Sequence, residues 1–442
     1  GVLSIGVAGE NLVRYANVVS QSGRAGGRTG IGAVMGSKNL KAIVFIGGGS
    51  IPVADARSLE KLAYESYHSI LNLPNYDFWV RQGTMSTIEW SQENSVLPCM
   101  NFREGVFDHA EDIGGYAMES MRIGRRGCPY CNAKCGNIIE DSCGLQVELD
   151  YENVAMLGSN IGLGDLHKVS DLNLKADLYG LDTISLGNVL GLTTELSEKK
   201  IISDAIEWGD YKKFKELIED ITYRRGLGDL LAEGVRYIAY KLGGDVYKYA
   251  MHVKGLEMPM HDPRAFKSWA LGYATSNRGA CHTYSPVYYI EKGLTFPEIG
   301  LREPLDRFDA KTKPKAVKLI QDMSEFLDSM VMCRFCLYSG VNLSLILRAL
   351  NAVTGWDISV EESMLIGERI FNLKRYINNL LGVRHEHDKL PQRVFEPSKP
   401  PGGTLGNTPK EFGEMLAEYY RLRGWNPDGT VSEEKLKKLK IL

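Results

Sequence analysis

Three cysteines within eight residues, Cys128, Cys131 and Cys135 in GCPYCNAKCGN, are the densest potential chemistry in the chain. Thiolates at this CxxCxxxC spacing are soft ligands within reach of one metal centre. Gly127 and Gly136 flank them, and Gly144 follows, so the backbone can wrap the site and aim N–H groups at sulfur. A structural zinc or a cubane iron–sulfur cluster takes four protein ligands, which leaves one to be supplied from elsewhere. A second pair, Cys333 and Cys336, lies far downstream, whereas zinc ribbons keep their pairs ~15–20 residues apart. Zinc, a [4Fe–4S] cluster with one remote ligand, and three reduced thiols in a turn are the readings the spacing allows. The remote ligand could be Cys333, Cys336, Cys143, Cys281 or Cys99, and spacing does not choose among them.

Two other stretches carry chemistry. Gly23, Gly26, Gly27, Gly30 and Gly32 fall within ten residues, with Arg24 and Arg28 between them. Glycines let backbone N–H groups approach a ligand, and arginines grip phosphate in a bidentate way, so the loop suits an anionic ligand. It matches neither GxGxxG nor a P-loop, and tight turns between strands are the plain alternative. Two Asp-led segments also resemble each other: Asp177-Leu-Tyr-Gly-Leu-Asp182, and Asp328-Ser-Met-Val-Met-Cys333 with Val331 and Met332 where the first has Gly and Leu. An Asp opening a turn can simply cap a helix. A carboxylate also offers two acceptors to the paired donors of a pterin-like ring. Two such segments would suit a pseudo-symmetric site holding two pterins.

These residues need elements to hold them. Lys41–Ile46 reads as a strand with a glycine stop. From Asp55 the pattern turns helical, with SLEKLAYESYHSILNL behind a Ser58 cap. Helical spacing recurs over 204–224, 227–242, 313–332 and 360–381, and a Pro/Gly-rich stretch at 397–409 precedes a last helix. The expected fold class is α+β. A small β-rich front piece, residues 1–52, precedes two mainly helical regions, 53–250 and 251–442.

The composition is that of an ordinary globular protein: 442 residues, 44% apolar and 24% charged. A net charge of −3 gives no electrostatic reason to bind nucleic acid or a membrane surface, and no apolar run approaches a membrane span. Eight cysteines are too sparse for a disulfide framework, and their clustering points to metal in a reducing compartment, hence the cytoplasm. The opening GVLSIGVAGEN lacks a starting Met and reads like the middle of a folded domain, so a truncated or processed chain is expected.

GRAGGRTGIGAVMGSKNLKAI, CPYCNAKC, DLYGLD, ATSNRGACH (274–282) and DSMVMC occur in this order. Together they closely resemble the tungsten-containing aldehyde:ferredoxin oxidoreductase family, over essentially the whole chain. The departures are the missing front of the family's first domain and the Val331–Met332 variation. The resemblance implies a tungsten, or less often molybdenum, atom held by two pterin dithiolenes. Asp177, Gly180, Leu181, Asp182 and Asp328 would bind the pterins. Arg24 and Ala25 match the loop that meets the pterin phosphates, where a backbone carbonyl helps hold a bridging Mg²⁺. Cys128, Cys131, Cys135 and Cys333 would hold one [4Fe–4S] cluster. Glu152 matches the active-site acid/base and His282 the active-site histidine. His261 is a second-rank candidate, and Glu148 and Asp150 are nearby alternatives to Glu152. The implied reaction oxidises an aldehyde to a carboxylic acid and passes electrons singly to ferredoxin, in a homo-oligomer or a larger complex. The competing expectations are the same fold working reductively on a carboxylic acid or an aromatic acyl-CoA, with Cys281 as a possible metal ligand, and a non-catalytic cluster- or zinc-bearing electron-transfer subunit.

Overall fold

The computed structural model describes residues 1–20, 23–141, 143–399 and 407–442. It is an α+β protein in which short antiparallel sheets are set into a helical body. At the front, β1 (Val2–Ser4) pairs antiparallel with both β2 (Val18–Ser20) and β4 (Ala42–Val44), and β2 pairs with β3 (Ala25–Gly26), giving the order β3-β2-β1-β4. The expected strand is therefore present, trimmed to Ala42–Val44. Of the Pro/Gly-rich stretch, residues 400–406 lie outside the described residues.

A second sheet decides the site. β5 (Arg122–Arg126), β6 (Gly136–Glu140) and β7 (Gln146–Leu149) form an antiparallel meander. The Arg126↔Gly136 pair closes the β5–β6 loop, so the cysteine triplet is the tip of a hairpin. β7 then runs straight into the helix Tyr151–Leu157, whose first turn carries Glu152.

The helices follow the sequence pattern with local differences. The first long one, Ala56–Leu71, is capped by Asp55 rather than Ser58: the Asp55 side chain accepts from the Ser58 N–H at 3.0 Å. An ionised acceptor at that position is a strong cap. The pattern at 204–224 begins its helix only at Tyr211, behind an Asp210 cap, because 204–210 is spent in turns. The pattern at 227–242 splits at Gly234 into Leu227–Leu231 and Val235–Leu242. Lys313–Ser329 and Val360–Leu380 form nearly as expected.

Two large apolar cores result. One is drawn from Ala8 to Ala280 with Leu390 and Val394; the other gathers residues from Leu271 to Leu436. Leu62 and Ile70 of the first long helix belong to the second core, and the Ala54 and Asp55 N–H groups bond to Val353 and Ala352. The helix that directly follows the front piece is thus packed against the helix Leu343–Thr354, far along the sequence. No helix among the described residues is long and apolar enough to cross a membrane.

The front piece is stitched to the body where 15–17 runs beside 180–182. Asn17 N–H bonds to the Gly180 carbonyl at 2.8 Å, Asp182 N–H to that of Tyr15 at 2.9 Å, and Ala16 bridges Leu181. The seam is tight: a Cβ on Gly6 would lie 2.1 Å from the Tyr179 carbonyl oxygen. Gly6→Ala should therefore cost more than about 2 kcal/mol by forcing the seam apart. Gly413→Ala, on a helix with no atom within 4 Å of the added methyl, should stabilise by about 0.5–1 kcal/mol. Denaturant midpoints of the two variants check both expectations, and equal midpoints would mean the seam yields.

Candidate active site

Glu152 sits at the wall of a cavity of about 650 Å³. Its Oε2 accepts from the Met260 N–H at 3.0 Å, while Oε1 lies 3.2 Å from His261 Nε2 and 3.6 Å from His282 Nδ1. These three side chains bring their polar atoms within 4.8 Å of one another. Glu152 Oε1 and His282 Nδ1 are nevertheless buried without a hydrogen-bond partner. Two polar atoms left unmatched at a cavity wall are poised for a bound group.

The electrostatics follow from burial. Loss of water pushes the Glu152 carboxyl up to about 7, with Asp182 adding and the Met260 N–H and Arg28 opposing. Burial drives His261 down to about 3, and Lys292 reinforces it. Burial likewise lowers His282, helped by His261, Arg28, Arg278 and Arg334. At neutral pH, two neutral imidazoles thus flank a carboxylate near its titration midpoint. Aromatic rings enclose His261: Tyr151 at 5.2 Å, Trp269 at 4.7 Å and Tyr288 at 5.5 Å. The Tyr273 hydroxyl also holds its carbonyl. That cage was not legible in the sequence, since its members are dispersed from 151 to 288. His261 stands as close to Glu152 as His282 does.

The glycine loop lines the same cavity through Ala25, Gly26, Gly27 and Arg28. Its arginines face protein groups rather than open space. Arg28 donates to the carbonyls of Ala280 and Glu257 and sits 3.6 Å from Asp182. Arg24 pairs with Glu148 at 2.7 Å and with Asp150 at 3.6 Å. The alternatives to Glu152 are therefore engaged: Glu148 also takes Arg126, and Asp150 takes the Thr84 hydroxyl at 3.0 Å.

The two Asp-led segments prove to be one motif used twice. Each ends a long helix, Leu166–Tyr179 or Lys313–Ser329. In the first, Gly180 N–H bonds to the Asp177 carbonyl and Leu181 N–H to that of Ala176; in the second, Val331 bonds to Asp328 and Met332 to Leu327 in the same pattern. Gly180 and Val331 are both left-handed, at φ 76° and 57°. Asp177 is exposed to solvent yet crowded, and burial, then Glu148 and Asp150, push its carboxyl up to about 7. Asp328 is 41% exposed and pairs with Arg334 at 2.8 Å. Asp182 is buried, caps the helix Thr183–Glu198 and accepts from the Ser185 hydroxyl at 2.7 Å. Leu181, at 1% exposure, fills the main core.

The cysteines sort themselves. Cys135 lies in the fields of Cys128, Cys333, Asp150 and Arg24, and Cys336 in those of Cys333, Cys131 and Cys128. Cys333 and Cys336 therefore join the triplet. Cys99 is buried, donating to the Leu97 carbonyl, Cys143 is exposed near Lys215, and Cys281 is buried against Arg278 at 2.7 Å.

The family model for aldehyde ferredoxin oxidoreductase domains 2 and 3 matches residues 61–441, and that for the family's N-terminal domain matches residues 1–47. This chain belongs to the aldehyde ferredoxin oxidoreductase family. The tungsten-containing aldehyde ferredoxin oxidoreductase of Thermococcus kodakarensis is 37% identical over 459 aligned residues, covering 100% of this chain and 73% of that one. Its Pyrococcus furiosus counterpart is 38% identical at the same coverage. A P. furiosus aliphatic sulfonate oxidoreductase, WOR-like subunit, is 30% identical, over 100% of this chain and 70% of its own. Among solved structures, the active site complex BamBC of benzoyl coenzyme A reductase superposes with a TM-score of 0.81 at 23% identity, over 100% of this chain and 73% of that chain, which shows a shared fold.

Val331 is the departure with a measurable consequence. A β-branched residue held left-handed and 92% exposed gains no packing to offset the conformation. Val331→Gly should raise stability by about 1 kcal/mol, read as a higher denaturant midpoint at unchanged slope. A lower midpoint would show that the valine side chain contributes more than its backbone costs.

Proposed function

We propose that this chain is the catalytic polypeptide of a tungsten-dependent oxidoreductase that oxidises aldehydes to carboxylic acids and delivers the electrons to ferredoxin. The observation that carries the reading is the Glu152 carboxylate, raised to about 7 and set between two neutral histidines at a cavity wall. The names of the curated relatives support it.

The residues present fit a tungsten bis-pterin group. Asp177 and Asp328 offer carboxylates at matching helix ends, Asp182 and the Ala25–Gly27 backbone line the cavity, and two buried polar atoms stand unmatched there. Gly180 would shape the first pterin segment and Leu181 would anchor it. The front piece, residues 1–52, would form part of the pterin-binding base, ahead of helical domains 53–250 and 251–442. Arg24 and Ala25 would meet the pterin phosphates and their Mg²⁺. Cys128, Cys131, Cys135 and Cys333 would hold one [4Fe–4S] cluster. When bound, the metal group supplies the two-electron acceptor and a Lewis acid.

The chain's own groups then handle protons and positions. Glu152 takes a proton from the water that adds to the aldehyde carbon, or from the aldehyde hydrate. His282 donates a hydrogen bond to the oxygen on which charge develops, and as a neutral ring it does so without adding a competing positive charge. His261, fixed by its aromatic cage, keeps Glu152 in register. The overall change is aldehyde plus water to acid, two protons and two electrons. Cys128, Cys131, Cys135 and Cys333 would hold a centre able to pass those electrons on singly to ferredoxin.

A carboxylate acting as base works only when ionised, so the rate should rise with pH through about 7. Glu152→Gln should lower aldehyde oxidation by ~10²–10⁴ and flatten that profile while retaining tungsten by metal analysis. Full activity in a loaded variant would remove Glu152 from the mechanism. For the cluster, Cys333→Ala should abolish the reduced-cluster EPR signal of a [4Fe–4S] centre, whereas Cys336→Ala should keep it. The reverse result reassigns the fourth ligand.

A further inference from the structure

A second groove, of about 370 Å³, shares no residue with the active-site cavity. Tyr76, Asp77, Arg81, Arg125, Asn132 and Lys134 line it. Two of these, Asn132 and Lys134, lie inside the cysteine loop, between Cys131 and Cys135. The Tyr76 hydroxyl donates to the Asn132 carbonyl at 2.9 Å, fixing the backbone beside Cys131. Tyr130, immediately before Cys131, is 106% exposed, and Cys128 is exposed too. This is where the cysteine centre comes to the surface.

The charge there runs against the whole chain. The net charge is −3, yet Arg81, Arg125 and Lys134 are exposed around the groove. Arg81 is only 3.7 Å-paired with Glu119, while Arg125 and Lys134 form no ion pair among the described residues. Asp77 is the one carboxylate in the lining. Unpaired cations at the rim of a groove create a local field that steers an anionic partner, and redox encounters rely on such steering because their interfaces are small and must release quickly.

We propose that this groove is the docking surface for an acidic one-electron carrier of the ferredoxin class, held over the cysteine loop by Arg81, Arg125 and Lys134. The inference rests on the aldehyde-to-ferredoxin reading above and adds where that partner sits. Docking here places the carrier against the loop that holds three of the cluster cysteines, on a surface separate from the aldehyde cavity. Substrate and carrier can then occupy the enzyme together. Asp77 opposes the fit, so removing its charge should tighten it.

The test uses the metal-loaded enzyme, an acidic [4Fe–4S] ferredoxin and the small dye benzyl viologen. In an Arg125→Glu/Lys134→Glu double variant, the KM for ferredoxin should rise roughly tenfold or more and its dependence on salt should flatten. Aldehyde oxidation with benzyl viologen should stay within about twofold, because the dye needs no docked protein. Asp77→Asn should lower the KM for ferredoxin. Unchanged ferredoxin kinetics in the double variant, or an equal loss with both acceptors, would overturn the surface. Titration of ferredoxin onto the enzyme without aldehyde separates the two readings. If aldehyde reduces neither acceptor, the activity assignment fails, while binding to the wild type that is lost in the double variant still establishes the surface. Binding that persists in the double variant rejects it.

Discussion

The pairing of β6 with β7 is the constraint on which the site depends. Asn137 lies opposite Leu149, so the end of the cysteine loop and the start of the Glu152 helix emerge side by side. The alternation along β7 fixes the rest. Val147 and Leu149 point into the main core, at 2% and 0% exposure, and Glu148 points the other way, to Arg24 and Arg126. A slip of one residue would reverse all three, burying a carboxylate and stranding two arginines. The apolar core thus sets the distance between the cysteine loop and Glu152 without any residue being dedicated to that task.

Burial does the electrostatic tuning. The same withdrawal of water that raises Glu152 keeps His261 and His282 neutral. This arrangement works against stability. Glu152 holds its proton more tightly in the fold than in the unfolded chain, so the stability it contributes declines as pH climbs from the ordinary carboxylate range to about 7. Arg24 opposes the effect of burial on Glu148 and Asp150, whose carboxyls nevertheless stay above the ordinary range. Glu152 is left to the Met260 N–H and a weak influence from Arg28, which preserves its proton affinity near neutrality.

Legibility in the sequence tracked the range of the interaction. The cysteine triplet, the Asp-led segments and most helices were readable because each is written within a few turns of chain. The left-handed turn shared by Gly180 and Val331 was half-readable: the glycine announced it in one copy and the valine hid it in the other. What could not be read depends on contacts between distant residues. The cage of Tyr151, Trp269 and Tyr288 around His261 is of this kind, as is the place of Cys336 beside the triplet, whereas Cys333 was already named by the resemblance. Arg24 and Arg28 carried the right residue type for phosphate, but protein carboxylates and carbonyls took their donors first.

The long helix Ala56–Leu71 has a consequence for synthesis. Its buried residues, Leu62 and Ile70, and the backbone just ahead of it are completed by partners near Ala352 and by the second core. On a ribosome, nearly three hundred further residues must follow this helix before its cover exists. During that interval its apolar stripe is open to wrong partners. The nascent chain therefore carries a period of vulnerability set by topology rather than by any weak segment, and it ends only when the residues around Ala352 close against the helix.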